Sequence, residues 1–165
     1  MSQPNTKLLF AHPAHFFGLG FGSGLAPKAP GTFGTLVAFP LFWLISSYNL
    51  NVKLAIIATL FIVGIYVCDK TGKALGVADH GAIVWDEIVA MLLVLCFTPM
   101  HYFWYLLAFA LFRLFDIWKP YPICIMDAKL KNGFGVMFDD VLAAIYAIFV
   151  LKLIALPLAE IWTKQ

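Results

Sequence analysis

Five apolar stretches, at about residues 33–50, 52–68, 83–98, 102–118 and 138–157, take up most of this 165-residue chain. Most are 16–18 residues long, near the lower limit of about 17–25 for a helix that crosses a bilayer. The chain is 62% apolar before glycine is counted and only 12% charged, about half the usual charged share. A water-soluble globule of this size has too little interior to hide so much apolar surface. Disordered chains are poor in apolar residues, so disorder is excluded as well. The expected fold is one domain over residues 1–165, all-α: a polytopic membrane helical bundle. It has five transmembrane helices, or four if 83–118 forms one interrupted hairpin.

Such short spans fit a bilayer with little tilt. Pro40 should kink the first, while Gly64, Ala143, Ala144 and Ala147 are small enough for backbones to approach. Residues 8–32 differ, with five glycines between positions 18 and 31 plus Pro27 and Pro30. This reads as a Gly/Pro-rich re-entrant or interfacial segment. Irregular backbone at membrane depth must be buried in protein or line a wet cavity, so the segment is expected near a polar site. No A-x-A-like cleavage site marks a secretory signal. Cys68, Cys96 and Cys124 show no metal spacing and read as small apolar side chains.

Basic residues orient the bundle. With five spans and a cytoplasmic N-terminus, Lys7, Lys28, Lys70, Lys73, Arg113, Lys119, Lys129 and Lys131 fall on the cytoplasmic side. Lys53 and Lys164 fall outside, with Lys152 near the outer end of the last span. No basic run resembles a nucleic-acid patch, so no nucleic-acid partner is expected.

That orientation makes a second statement. Asp69 ends the second span, Asp86 and Glu87 lie three to four residues into the third, Asp116 closes the fourth, and Asp139 and Asp140 open the fifth. Asp79, His80 and Asp127 fall in connecting loops on the same side, and only Glu160 lies opposite. Carboxylates within membrane helices are costly and are functional candidates by default. Neighbouring positions on a helix point about 100° apart, so each pair can send one group to the bundle axis. Two pairs that meet repel unless protonated or bridged by a cation, and an all-oxygen set suits Mg²⁺. Helix capping is the competing reading for Asp86, Glu87 and Asp139. An i, i+3 ion pair is the competing reading for Arg113 with Asp116.

Phosphate-binding material gathers at the same end. Lys28, Arg113 and Lys119 are basic, and arginine can hold phosphate with two parallel bonds. The run Pro30-Gly31-Thr32-Phe33-Gly34-Thr35 opens a helix, where backbone N–H groups attract anions. It is not a Walker loop, because no GK[ST] follows. Together these features point to a phosphate ester held at the cytoplasmic interface; a lipid substrate would place its head group there and its tails among the helices.

Four stretches then carry a resemblance: GFGSGLAPKAPGTFGTLVAFP (20–40), GVADHGAIVWDEIVAM (76–91), FRLFDIWKPYPI (112–123) and NGFGVMFDDVLAA (132–144). In this order the sequence resembles bacterial phosphatidylglycerophosphatase A. The resemblance implies Mg²⁺-dependent hydrolysis of phosphatidylglycerophosphate to phosphatidylglycerol and phosphate, in the bacterial inner membrane with the site facing the cytoplasm. On this reading Asp86 or Glu87 holds Mg²⁺ with Asp139 or Asp140, and the ion acidifies a bound water; that water, or an Asp, attacks phosphorus. Lys28, Arg113 and Lys119 offset charge on the phosphate, with Asp116 beside Arg113. Gly31, Thr32 and Thr35 cradle it. His80 either protonates the leaving alkoxide or is a hydrogen-bonded loop histidine.

Rival chemistries leave no trace. No Cys is followed five residues later by Arg, no DxDx[TV] nucleophile occurs, and the signatures of haloperoxidase-like phosphatases and CDP-alcohol phosphotransferases are missing. A small channel or transporter subunit would string polar residues across the bilayer depth; here they gather at one end. A non-catalytic assembly factor is the remaining alternative. The sequence leaves the oligomeric state open.

Overall fold

The computed structural model describes residues 4–162. Lys164 and the side chain of Glu160 lie outside what it describes. All the described elements are helices. They are α1 (Thr6–Ala11), α2 (Pro13–Gly18), a 3-10 segment (Gly20–Leu25), α3 (Pro30–Ile45), α4 (Leu50–Leu75), α5 (Trp85–Cys96), α6 (Tyr102–Trp118), α7 (Ile123–Lys129) and α8 (Gly133–Trp162).

Local chemistry sets the ends. Asn5, His12, Asn49 and His101 cap α1, α2, α4 and α6 by accepting backbone N–H groups, and Asn132 accepts from Gly135 at the start of α8. α4 stops at Gly76, whose φ of 78° suits a residue without Cβ. α6 stops at Lys119, which adopts the same left-handed region with φ 44°.

The five longer helices, α3 to α6 and α8, coincide in order with the five apolar stretches. Among the described residues, however, only two are long and apolar enough to cross a membrane: Leu50–Leu75, and α8 over Gly133–Ala155. α5, with 12 residues, rises about 18 Å, well short of a hydrocarbon core of roughly 30 Å. The expectation of five spans therefore narrows to five helices, of which two have spanning length. α5 is apolar because it is the centre of the molecule. Ile88, Val89, Met91 and Val94 are fully buried, and α5 packs against α3, α4, α6 and α8.

The exterior is apolar too. Trp43, Leu44, Ile62, Leu106, Ile117, Trp118, Phe149 and Leu153 are exposed, while four carboxylates are buried. Only 17% of the spanning window of α4 is buried, so its apolar side chains face outward. Inside, Ala143, Ala144 and Ala147 of α8 are fully buried, as expected for a close helix contact. α3 runs through Pro40 as one helix.

The glycine-rich N-terminal segment is partly helical, forming α1, α2 and the 3-10 turns, and partly irregular, with positive φ at Gly20, Phe21, Gly22 and Ala29. Its position is as expected, because it braces the start of α5. The Val84 N–H donates to Gly18 O at 3.0 Å. A Cβ at Gly24 would stand 2.0 Å from Ala82 O. Two boundaries move with consequences. α8 begins at Gly133, so Asp139 and Asp140 are its seventh and eighth residues and cap nothing. α5 begins at Trp85, so Asp86 and Glu87 lie in its first turn rather than a turn inside it.

Candidate active site

The starts of α3, α5 and α8 and the ends of α4 and α6 share one end of the bundle, because successive helices alternate in direction. There Glu87 meets α3. A Cβ on Gly31 would stand 1.9 Å from Glu87 Oε1, and one on Gly34 would stand 3.0 Å from Oε2. Gly31 and Gly34 thus form the seat of a carboxylate. The sequence expectation gave Gly31 to phosphate instead.

From α6, Arg113 Nη1 donates to Glu87 Oε1 at 2.7 Å, to Asp116 Oδ2 at 2.6 Å and to Thr35 Oγ1 at 3.4 Å. Thr35 in turn donates to Gly31 O at 2.8 Å. The Arg113 and Asp116 pair is thus the i, i+3 ion pair foreseen, extended to a second helix. One nitrogen of the guanidinium is fully tethered. Nε is buried without a partner, and Nη2 makes none of the three bonds. The edge of arginine suited to a bidentate oxyanion is therefore free.

Three carboxylate oxygens share that condition. Asp86 Oδ1, Glu87 Oε2 and Asp140 Oδ2 are buried and have no hydrogen-bond partner. The charges of Asp86, Glu87 and Asp140 act on one another, and those of Asp79, Asp116 and Asp139 act on them as well, so these carboxylates occupy one neighbourhood. Buried acceptors are normally satisfied. An oxygen-only set without donors has the chemistry of a hard divalent cation site, so the residues present fit Mg²⁺.

Asp139 behaves differently from Asp140, because both its oxygens are engaged. Oδ1 accepts the Asp140 N–H at 3.1 Å and Oδ2 accepts from Lys119 at 2.6 Å. Lys119 also donates to Asp127 at 2.9 Å and lies 3.8 Å from Asp79. The carboxylates of Asp79, Asp127 and Asp139 come within 4.8 Å of one another, with this ammonium among them. Burial alone would lower the Lys119 pKa; Asp139 first, then Asp127 and Asp79, overcome it and hold the group above its ordinary range. Burial would raise the Asp127 pKa, but Lys119 first and then Lys131 outweigh it and hold the group below its ordinary value.

The remaining candidates make no side-chain bond to either cluster among the described residues. Lys28 is exposed in the loop before α3 and makes no hydrogen bond or ion pair among the described residues. Thr32 is half-buried and bonds only through its backbone, to Ala29 O at 2.9 Å. His80 Nδ1 accepts the Ala82 N–H at 3.1 Å, so the loop-histidine role is real and a neutral ring carries its proton on Nε2. Asp69 pairs with Lys73 on the surface of α4. Sequence reasoning left Asp79 and Asp127 as loop acids and did not see them as partners of Lys119. No local pattern links residues 79, 119, 127 and 139.

The fold and site define an all-helical, apolar-surfaced protein with a buried acidic centre and one tethered arginine. The chain belongs to the phosphatidylglycerophosphatase A family, a family of phosphatases, whose family model matches residues 16–155. Phosphatidylglycerophosphatase A of Haemophilus influenzae is 49% identical over 151 residues, covering 90% of this chain and 93% of that protein. Its namesake in Escherichia coli is 37% identical over 150 residues, covering 90% and 87%. A protein of Bacteroides thetaiotaomicron, provisionally named a phosphatidylinositol-3-phosphatase, is 40% identical over 146 residues, covering 84% and 90%. No solved structure matches the chain.

Proposed function

We propose that this protein is a Mg²⁺-dependent lipid phosphatase that converts phosphatidylglycerophosphate to phosphatidylglycerol and phosphate. It works within the bacterial inner membrane, with its site at the cytoplasmic end of a multi-pass bundle. The observation that carries the reading is the set of buried, partnerless atoms: carboxylate oxygens of Asp86, Glu87 and Asp140, and Arg113 Nε. One half suits a cation and the other an oxyanion, which is what a phosphate monoester and its metal require. The names of two relatives, of Haemophilus influenzae and Escherichia coli, supply the head group.

Asp86, Glu87 and Asp140 would hold Mg²⁺. The chemistry the ion supplies in such a set is charge neutralisation and polarisation of the phosphate and the attacking water. Arg113 does the rest of the positioning. Tethered through Nη1, it offers Nε and Nη2 to the equatorial oxygens without having to reorganise. Glu87, Asp116 and Thr35 fix its plane. His80, whose free nitrogen is Nε2, gives its proton to the leaving glycerol oxygen. The apolar exterior leaves the acyl chains in lipid, and the cluster of Lys and Arg at this end matches the leaflet.

A head-group panel tests the reading. Detergent-purified protein is offered phosphatidylglycerophosphate, phosphatidic acid and phosphatidylinositol 3-phosphate, and phosphate release is measured. Preference for the first supports the proposal. Preference for the inositol lipid, the substrate named for the Bacteroides relative, replaces the head group but keeps the chemistry.

A further inference from the structure

We infer that Lys119 is a built-in counter-cation and positioning residue, occupying a place among carboxylates that a divalent ion would otherwise take, and that it does not bind the substrate phosphate. The inference rests on the reading above for the reaction and deepens its account of the site.

Three carboxylates from three segments surround the ammonium: Asp79 from the loop between α4 and α5, Asp127 from α7 and Asp139 from α8. An ammonium has three N–H groups. Two are spent on bonds of 2.6 and 2.9 Å and the third side faces Asp79 at 3.8 Å, so carboxylates surround the ammonium on every side that is described. The carboxylate atoms lie within 4.8 Å of one another, close enough for a single cation to bridge them. The backbone supports the same conclusion. Lys119 holds φ 44° and ψ 61°, a left-handed conformation that is unfavourable for a residue with a Cβ. Glycine would end α6 there without strain, so what the position uses is the side chain.

The consequence reaches the site through Asp139. Lys119 fixes Asp139 Oδ2, and Asp139 Oδ1 accepts the Asp140 N–H. Asp140 carries one of the partnerless oxygens assigned to Mg²⁺. Lys119, with Lys131 3.5 Å from Asp127, offsets charge in one carboxylate group, leaving a second group, Asp86, Glu87 and Asp140, as the place where an added cation binds.

The test is Lys119→Asn in the full-length, detergent-purified protein, since Asn tolerates the left-handed backbone. Mn²⁺ binding without lipid is counted by electron paramagnetic resonance, and Mg²⁺ activation and lipid KM are measured in parallel. The inference expects one more Mn²⁺ per chain than in the wild type. It expects turnover at low Mg²⁺ to fall about 10–100-fold and to recover as the cation concentration rises and an ion replaces the ammonium, with lipid KM unchanged. An unaltered Mn²⁺ count with a raised lipid KM that excess cation does not rescue would overturn it in favour of a phosphate contact. Wild-type turnover at all Mg²⁺ concentrations would overturn it as well. Lys119→Gln carries the same readouts should the Asn variant not fold. If the wild type hydrolyses no lipid, the proposed function fails, while the Mn²⁺ count still decides this inference.

Discussion

Gly31→Ala separates catalysis from stability. The new Cβ would lie 1.9 Å from Glu87 Oε1 and 2.8 Å from Cδ, whereas real Cβ contacts do not fall below 3.0 Å. The carboxylate must therefore retreat by about 1 Å, a displacement that can cost about a hundredfold in rate when it moves a reacting geometry. That is about 2.7 kcal/mol on the barrier. Stability should hardly change. The clashing atoms end a flexible side chain, Arg113 keeps Asp116 at 2.6 Å, and Ala gains about 0.5–1 kcal/mol over Gly within a helix. The assay is kcat for phosphate release with thermal unfolding measured alongside. Two controls bracket it. Gly81→Ala, with nothing within 4 Å, should be silent, and Gly34→Ala, whose Cβ would stand 2.5 Å from Val84 Cβ, should lose stability. Wild-type kcat in a folded Gly31→Ala protein would refute the placement of Glu87 at the reacting centre.

Glu87→Gln and Asp140→Asn should each lower turnover by orders of magnitude in a protein that still folds; near-normal turnover in both would remove the metal assignment. Arg113→Lys deletes Nε and Nη2 together and should cost about 10²–10³ in kcat, with circular dichroism checking the fold. His15 is held below its ordinary value of 6.5 by burial, then by His12 and Lys70. Its contribution to stability is full above that value and is lost as pH falls through the lowered folded value. Limited proteolysis of the N-terminal segment should therefore quicken from about pH 7.5 to about pH 5.5, and equal rates would contradict the assignment.

Much of the fold was legible because apolar length is a direct signal. The five stretches became α3 to α6 and α8 in order. What the sequence could not separate was burial in protein from burial in lipid. α5 is as apolar as α4, yet α5 is surrounded by helices and α4 faces outward. Helix starts were misplaced by a few residues because polar residues entered as caps or as inward-facing ligands indistinguishably. Asp139 looked like an opening acid, but Asn132 performs that capping about two turns earlier. The charged residues of the site were legible as types and as one end of a bundle. Their division was not. That Lys119 belongs with Asp79, Asp127 and Asp139, while Arg113 belongs with Glu87, Asp116 and Thr35, depends on distances no spacing encodes. Gly31 was singled out as a phosphate seat and stands against Glu87, since a glycine marks a close approach without saying what approaches.

The most direct test of the account is phosphate release from phosphatidylglycerophosphate by the purified wild-type protein, in Mg²⁺ and then in EDTA with Mg²⁺ restored. The account predicts turnover that EDTA abolishes and Mg²⁺ returns, and that Asp140→Asn lacks in both conditions. Turnover that persists in EDTA, or no release from a folded protein, would contradict it.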